Sequence, residues 1–141
     1  MVITDDVEVF ATRFAEAWAR PDGSGFAELW RADGVFVHPT VASPLRGTDV
    51  PRWAERIKAA LPDLTFEVDA WAARADLVLL QWTSTATVAG RSLRWSGVDR
   101  FRLRDGRIAE EVVYFDTLPV WAALDPTMSR PALVDLASGA A

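Results

Sequence analysis

Leu93, Trp95, Gly97, Asp99, Phe101 and Leu103 occupy alternate positions of one stretch, and Arg94, Ser96, Val98, Arg100, Arg102 and Arg104 fill the gaps between them. A period of two marks a strand with one face turned to a core. The first set is apolar except for Asp99. A carboxylate in that row is costly to ionise unless it is paired or hydrogen-bonded, which makes Asp99 a candidate for chemistry as well as for a structural acceptor. The same alternation predicts strands over 64–72, 77–88 and 108–116. Ala89-Gly90 joins two of them. A two-residue loop there pairs Val88 with Arg91 and brings Leu80, Trp82 and Ala86 onto the face of Leu93, Trp95 and Asp99. The hairpin at Asp105-Gly106 has two readings. A two-residue loop turns Glu110, Val112 and Tyr114 to the Asp99 face; a three-residue loop with Gly106 left-handed turns Ala109, Glu111, Val113 and Phe115 there.

Before these strands the spacing is helical. Val7, Phe10, Ala11, Phe14, Ala17 and Trp18 line one side of a helix over 6–20, with Asp5 and Glu8 in a variant of the capping box. The cluster Pro21-Asp22-Gly23-Ser24-Gly25 is a turn, and Ser24 can cap a second helix over 24–30. Asp33-Gly34 predicts another turn before a short strand over 35–39, with Phe36 and His38 on one side. Thr48 can cap a third helix over 48–61, with Pro51 in its first turn and Val50, Trp53, Ile57 and Leu61 inward. Leu118-Pro119 opens a short apolar turn around Trp121, with Asp116 placed to cap it. The reading is one α+β domain over 1–124 and an Ala-rich tail over 125–141: three helices, then an antiparallel meander closing its apolar face over them.

Composition narrows the chemistry. In 141 residues the net charge is −5, which argues against a nucleic-acid footprint. There is no Cys and a single His, so disulfides, thiol nucleophiles and a His-rich zinc site are excluded within the chain. No Gly-rich phosphate loop, nucleophile motif or metal-ligand spacing is present, and no metal or cofactor is expected. Asp5, Asp6 and Glu8 are unlike a signal peptide and no apolar run reaches membrane-spanning length, so no membrane association and a cytosolic location are expected. Trp18, Trp53, Trp82 and Trp95 suit either a core or the wall of a ligand pocket.

Four segments, in order, carry a resemblance: Phe26 through Asp33-Gly34-Val35-Phe36-Val37-His38-Pro39, then Leu45-Arg46-Gly47, then Gly97-Val98-Asp99-Arg100-Phe101 through Asp105-Gly106-Arg107-Ile108, then Tyr114-Phe115-Asp116. The chain resembles the SnoaL-like branch of the nuclear transport factor 2-like (cystatin-like) superfamily. The resemblance implies a cone: three helices in the concavity of a strongly bent antiparallel sheet, around a deep apolar pocket. It also implies a homodimer through the outer sheet face, with Arg94, Arg100 and Arg102 at the interface.

Similarity to steroid Δ5-isomerases places His38 where those enzymes hold their general-base Asp, and Asp99 at their hydrogen-bond-donating acid. Phe14 stands at their oxyanion-hole Tyr. Polyketide cyclases of this branch have a His at the Asp99 position and an acid at Val113. Limonene-type epoxide hydrolases need an Arg at Gly97 and an acid at Val113, which disfavours that reaction. The same positions imply that Glu111 faces the pocket beside Asp99. The resemblance therefore implies a cofactor-independent isomerase or cyclase acting on a small apolar carbonyl compound. His38 would be the base, Asp99 a neutral donor to the enolate and Glu111 a proton partner. Phe14, Trp18, Trp53, Trp82, Trp95, Val113 and Phe115 would form the substrate wall. The alternative is a non-catalytic small-molecule binder or dimerisation module, which the losses at Phe14 and Val113 favour.

Overall fold

Three successive antiparallel hairpins dominate the computed structural model, which describes residues 4–130. The chain runs α1 (Thr4–Ala19), α2 (Ser24–Leu29), β1 (Trp30–Val37), β2 (Leu45–Arg46), a 3₁₀ turn (Gly47–Asp49), α3 (Val50–Ala60), β3 (Thr65–Arg74), β4 (Leu77–Val88), β5 (Arg91–Arg104), β6 (Arg107–Phe115) and α4 (Leu118–Leu124). Six strands form one bent, unclosed sheet in the order β2-β1-β6-β5-β4-β3. Four of the five pairings are antiparallel. The β1–β6 pair is parallel, a departure from the expected all-antiparallel sheet. Residues 38–106 lie between those two strands and supply the long crossover that parallel pairing requires.

The inner row of β5 carries the helices. Phe10 and Phe14 of α1 both meet Phe101 edge-on, at 5.0 Å between ring centroids. On α3, Trp53 meets Phe36 of β1 at 4.8 Å. Lys58 of α3 donates from Nζ to the carbonyl oxygens of Ala17, Arg20 and Asp22 at 2.8, 2.5 and 2.9 Å, satisfying acceptors at the C-terminal end of α1 and just beyond it.

Several local expectations change. Asp33-Gly34 lies within β1, where the register against β6 shifts between Trp30 and Val35, so the expected turn is an irregularity inside a strand. Gly34 is buried there, and a Cβ would lie 2.8 Å from the Trp30 ring. Ser24 is the first residue of α2 and Gly23 its cap; the Ser24 hydroxyl donates to Asp22 at 2.6 Å. Thr48 sits in the 3₁₀ turn, and Asp49 precedes α3 without a side-chain capping bond. The apolar turn around Trp121 is the helix α4, entered where Asp116 accepts from the Leu118 backbone N–H at 3.1 Å. The Asp5 side chain and residues 131–141 of the expected tail lie outside the described residues.

Candidate active site

The β5–β6 hairpin decides what faces the concavity. Asp105 and Gly106 take φ of 55° and 73°, so the loop has two residues in a left-handed turn. Arg104 pairs with Arg107 and Leu103 with Ile108, but Arg102 pairs with Glu110. Ala109 is thus an extra residue, a bulge that shifts β6 by one position. The shift places Glu111 opposite Phe101 and Val113 opposite Asp99, on the inner face. The loop is the shorter of the two anticipated, yet Glu111 faces inward, because the bulge supplies the displacement a longer loop would have given.

Asp99 and Glu111 are both 3% exposed. Trp82 donates its indole N–H to Asp99 Oδ1 at 2.8 Å. This bond depends on Gly97, Trp82's partner on β5: a Cβ there would lie 2.5 Å from the Trp82 ring. The two carboxyl groups are hydrogen-bonded to each other. Burial pushes Asp99 up to about 6, against the lowering effect of its bonds with Glu111 and Trp82. Burial, and then the Asp99 charge, hold Glu111 well above the ordinary carboxylate range. Two acids in so dry a place cannot both ionise easily, and at neutral pH they share one proton. Glu111 is the stronger holder; Asp99, with two donors on it, carries the charge.

His38 follows the end of β1. Val41 donates its backbone N–H to the His38 carbonyl at 3.0 Å, closing a turn with Pro39 at its second position. That turn folds Thr40 back over the imidazole: its backbone N–H meets Nδ1 at 3.2 Å and its hydroxyl lies 2.8 Å from the same atom. The ring stacks on Phe36 at 5.6 Å and is flanked by Trp53 and Phe115. Burial lowers its pKa to about 4, so the ring is neutral across the physiological range.

All ten residues singled out from the sequence line one cavity of about 130 Å³. Six aromatic rings encircle it. His38, Trp53, Trp18, Phe66, Trp82 and Phe115 form a closed belt, each centroid 4.9–6.0 Å from the next. Thr40, Ser84, Phe66 and Val120 also line the cavity and were missed in the sequence. Ser84 was detectable, since it lies two residues beyond Trp82 on the same strand face. Thr40 and Val120 were not, because a turn and a terminal helix bring them in. Asp99 and Glu111 are the only ionisable groups on the described lining besides His38, and no Lys or Arg is among them. Among the described residues no group of three or more potential metal ligands occurs.

The SnoaL-like domain model matches residues 11–111, more than half of the chain. The chain belongs to the SnoaL-like family. Comparison with curated proteins gives no match. Among solved structures, AclR from Streptomyces galilaeus, a candidate hydroxylase, is 26% identical with a TM-score of 0.72, over 88% of this chain and 83% of that one. IdmH from Streptomyces antibioticus, a candidate polyketide cyclase, is 23% identical with a TM-score of 0.71, over 83% and 96%. TsrD from Streptomyces laurentii is 16% identical with a TM-score of 0.76, over 89% and 98%. The last two share the fold.

Proposed function

We propose that this SnoaL-like protein is a cofactor-independent proton-transfer enzyme of the isomerase or cyclase kind, acting on a small, apolar, uncharged carbonyl compound. One observation carries the reading: two carboxyl groups lie side by side, buried, on the wall of an otherwise aromatic cavity. A core has no use for such a pair, which raises both pKa values at a cost in stability. A site that removes and returns a proton near neutral pH does. The acidic lining, with no Lys or Arg among its described residues, disfavours free carboxylates and phosphates as substrates. The volume suits a body of about one ring inside the belt, with anything larger extending through the mouth.

The test is solvent-deuterium incorporation at the α-carbon of small cyclic ketones and enones, followed by NMR, with matched carboxylate analogues as controls. Protein-dependent exchange of neutral ketones is expected. The losses at Phe14 and Val113 favour a second reading as a binder; tight binding of the same compounds without exchange would replace the enzyme by it. We further propose that the chain works as a homodimer through the outer sheet face, and we place it in the cytosol.

A further inference from the structure

The hydrogen bonds around His38 fix the polarity of the site. A backbone N–H can only donate, so the Nδ1 atom that faces Thr40's N–H at 3.2 Å must hold a lone pair. The Thr40 hydroxyl, 2.8 Å away, then donates to the same nitrogen. A neutral ring carries one proton, and with Nδ1 committed as acceptor that proton is on Nε2. Nε2 makes no hydrogen bond to a described residue and the ring faces the cavity. The imidazole therefore offers the cavity a donor and keeps its basic atom turned away. Phe36, Trp53 and Phe115 pack around the ring at centroid distances of 4.9–5.6 Å and oppose the rotation that would exchange the two nitrogens.

We infer that His38 acts as a neutral hydrogen-bond donor through Nε2–H, that Thr40 is the positioning residue that holds this tautomer, and that Asp99, backed by Glu111, is the proton acceptor. The assignment reverses the roles that the resemblance to steroid isomerases implies for positions 38 and 99, and it rests on the proton-transfer reading above. The step balances within the site. The Asp99 carboxylate takes the proton from the carbon next to the substrate carbonyl. The C–H electron pair forms the C=C bond of the enolate, and the carbonyl oxygen gains the charge and receives the Nε2–H bond. Asp99 then returns the proton to the same or a conjugated carbon. A neutral imidazole suits the donor role: an imidazolium would be costly in this aromatic enclosure, while a neutral N–H still stabilises a developing oxyanion. Burial, which keeps the ring neutral, acts in the same direction.

His38 is the only histidine in the chain, so a long-range ¹H–¹⁵N spectrum of the labelled protein contains a single imidazole. It should show the Nε2-protonated tautomer, unchanged between pH 5 and pH 8. Thr40→Ser, which retains both donors, should preserve that spectrum. An Nδ1–H tautomer, or titration with a midpoint between 6 and 7, would overturn the inference whatever the activity. In the exchange assay His38→Gln, whose amide can place an N–H near the Nε2 position, should retain at least about tenfold more kcat than His38→Ala, with KM changed less than kcat. Equal loss in both variants means that the ring was the base. If no ketone exchanges at all, the enzymatic reading fails, and the spectrum still decides the tautomer.

Discussion

Asp99 and His38 titrate in opposite directions on burial, and their stability effects follow. The folded pKa of Asp99, about 6, lies above its unfolded value of roughly 3.9. Its contribution to folding is complete below the unfolded value and is lost as pH rises through about 6. Glu111 acts in the same direction. His38, with a folded pKa of about 4 against an unfolded value of roughly 6.5, contributes above the unfolded value and loses that as pH falls through about 4. Asp99→Asn keeps an acceptor for the Trp82 N–H and removes a charge. Urea denaturation should find the variant more stable than the wild type by on the order of 2 kcal/mol at pH 8 and nearly equal to it at pH 4. Marked destabilisation at pH 8 would mean that the charged carboxylate is held by the fold. At this scale the sequence was informative about Asp99, because an acid in an apolar row is visible in the alternation. It was less so about His38, whose basicity depends on a turn and three neighbouring rings that no local pattern encodes.

Strand registers carry most of the site, and they were legible where turns are regular. The Ala89-Gly90 hairpin pairs Val88 with Arg91 as alternation required, so Leu80, Trp82 and Ala86 lie on the Asp99 face. The β5–β6 hairpin was ambiguous because a bulge at Ala109 moves side chains just as an extra loop residue does. Helix limits were found to within a few residues, but the caps were misplaced, since Thr48 belongs to a 3₁₀ turn that precedes α3. Two substitutions examine these contacts. Gly97→Ala should force Trp82 off Asp99, because the added carbon would lie 2.5 Å from the Trp82 ring with backbone behind it. A loss of roughly 1–3 kcal/mol is expected, together with a shifted indole N–H resonance. Lys58→Met removes three bonds to carbonyls around the end of α1. About 1–2 kcal/mol should be lost, read as a lower thermal midpoint. A variant of unchanged stability would show that water replaces the ammonium group without cost.

At the scale of the whole molecule the outer sheet face has no helix over it among the described residues. The sequence marked this face by its Arg row, but Arg100 pairs with Glu110 at 2.6 Å and Arg102 with Asp76 at 3.2 Å within the chain, so these two are not waiting for acids from a partner. The same face carries exposed apolar side chains: Val35 and Val37 on β1, Leu79 on β4 and Tyr114 on β6 are 37–54% exposed. Leu79, Val112 and Val37 flank Arg100 across the strands, and exposed apolar side chains around charges already paired within the chain suit a symmetric interface. Light scattering at micromolar concentration should give twice the chain mass, and Leu79→Lys with Tyr114→Lys should halve it; a wild-type monomer would contradict the proposal. The helices and the meander were readable because the strands alternate and the helices follow a 3.6-residue period, while the cone was implied by the family resemblance. The parallel β1–β6 pair was not, because it joins segments far apart in sequence. The cavity's chemistry rests on one claim, that the buried acid pair moves the proton. Its most direct test is the rate of α-deuterium incorporation into a neutral cyclic ketone between pH 4 and pH 9, in wild type and Asp99→Asn. The wild-type rate should rise with pH through a midpoint near 6, the Asp99 value, and the variant should fall at least about a hundredfold with that midpoint gone. Exchange that survives Asp99→Asn with its pH profile intact would contradict the account.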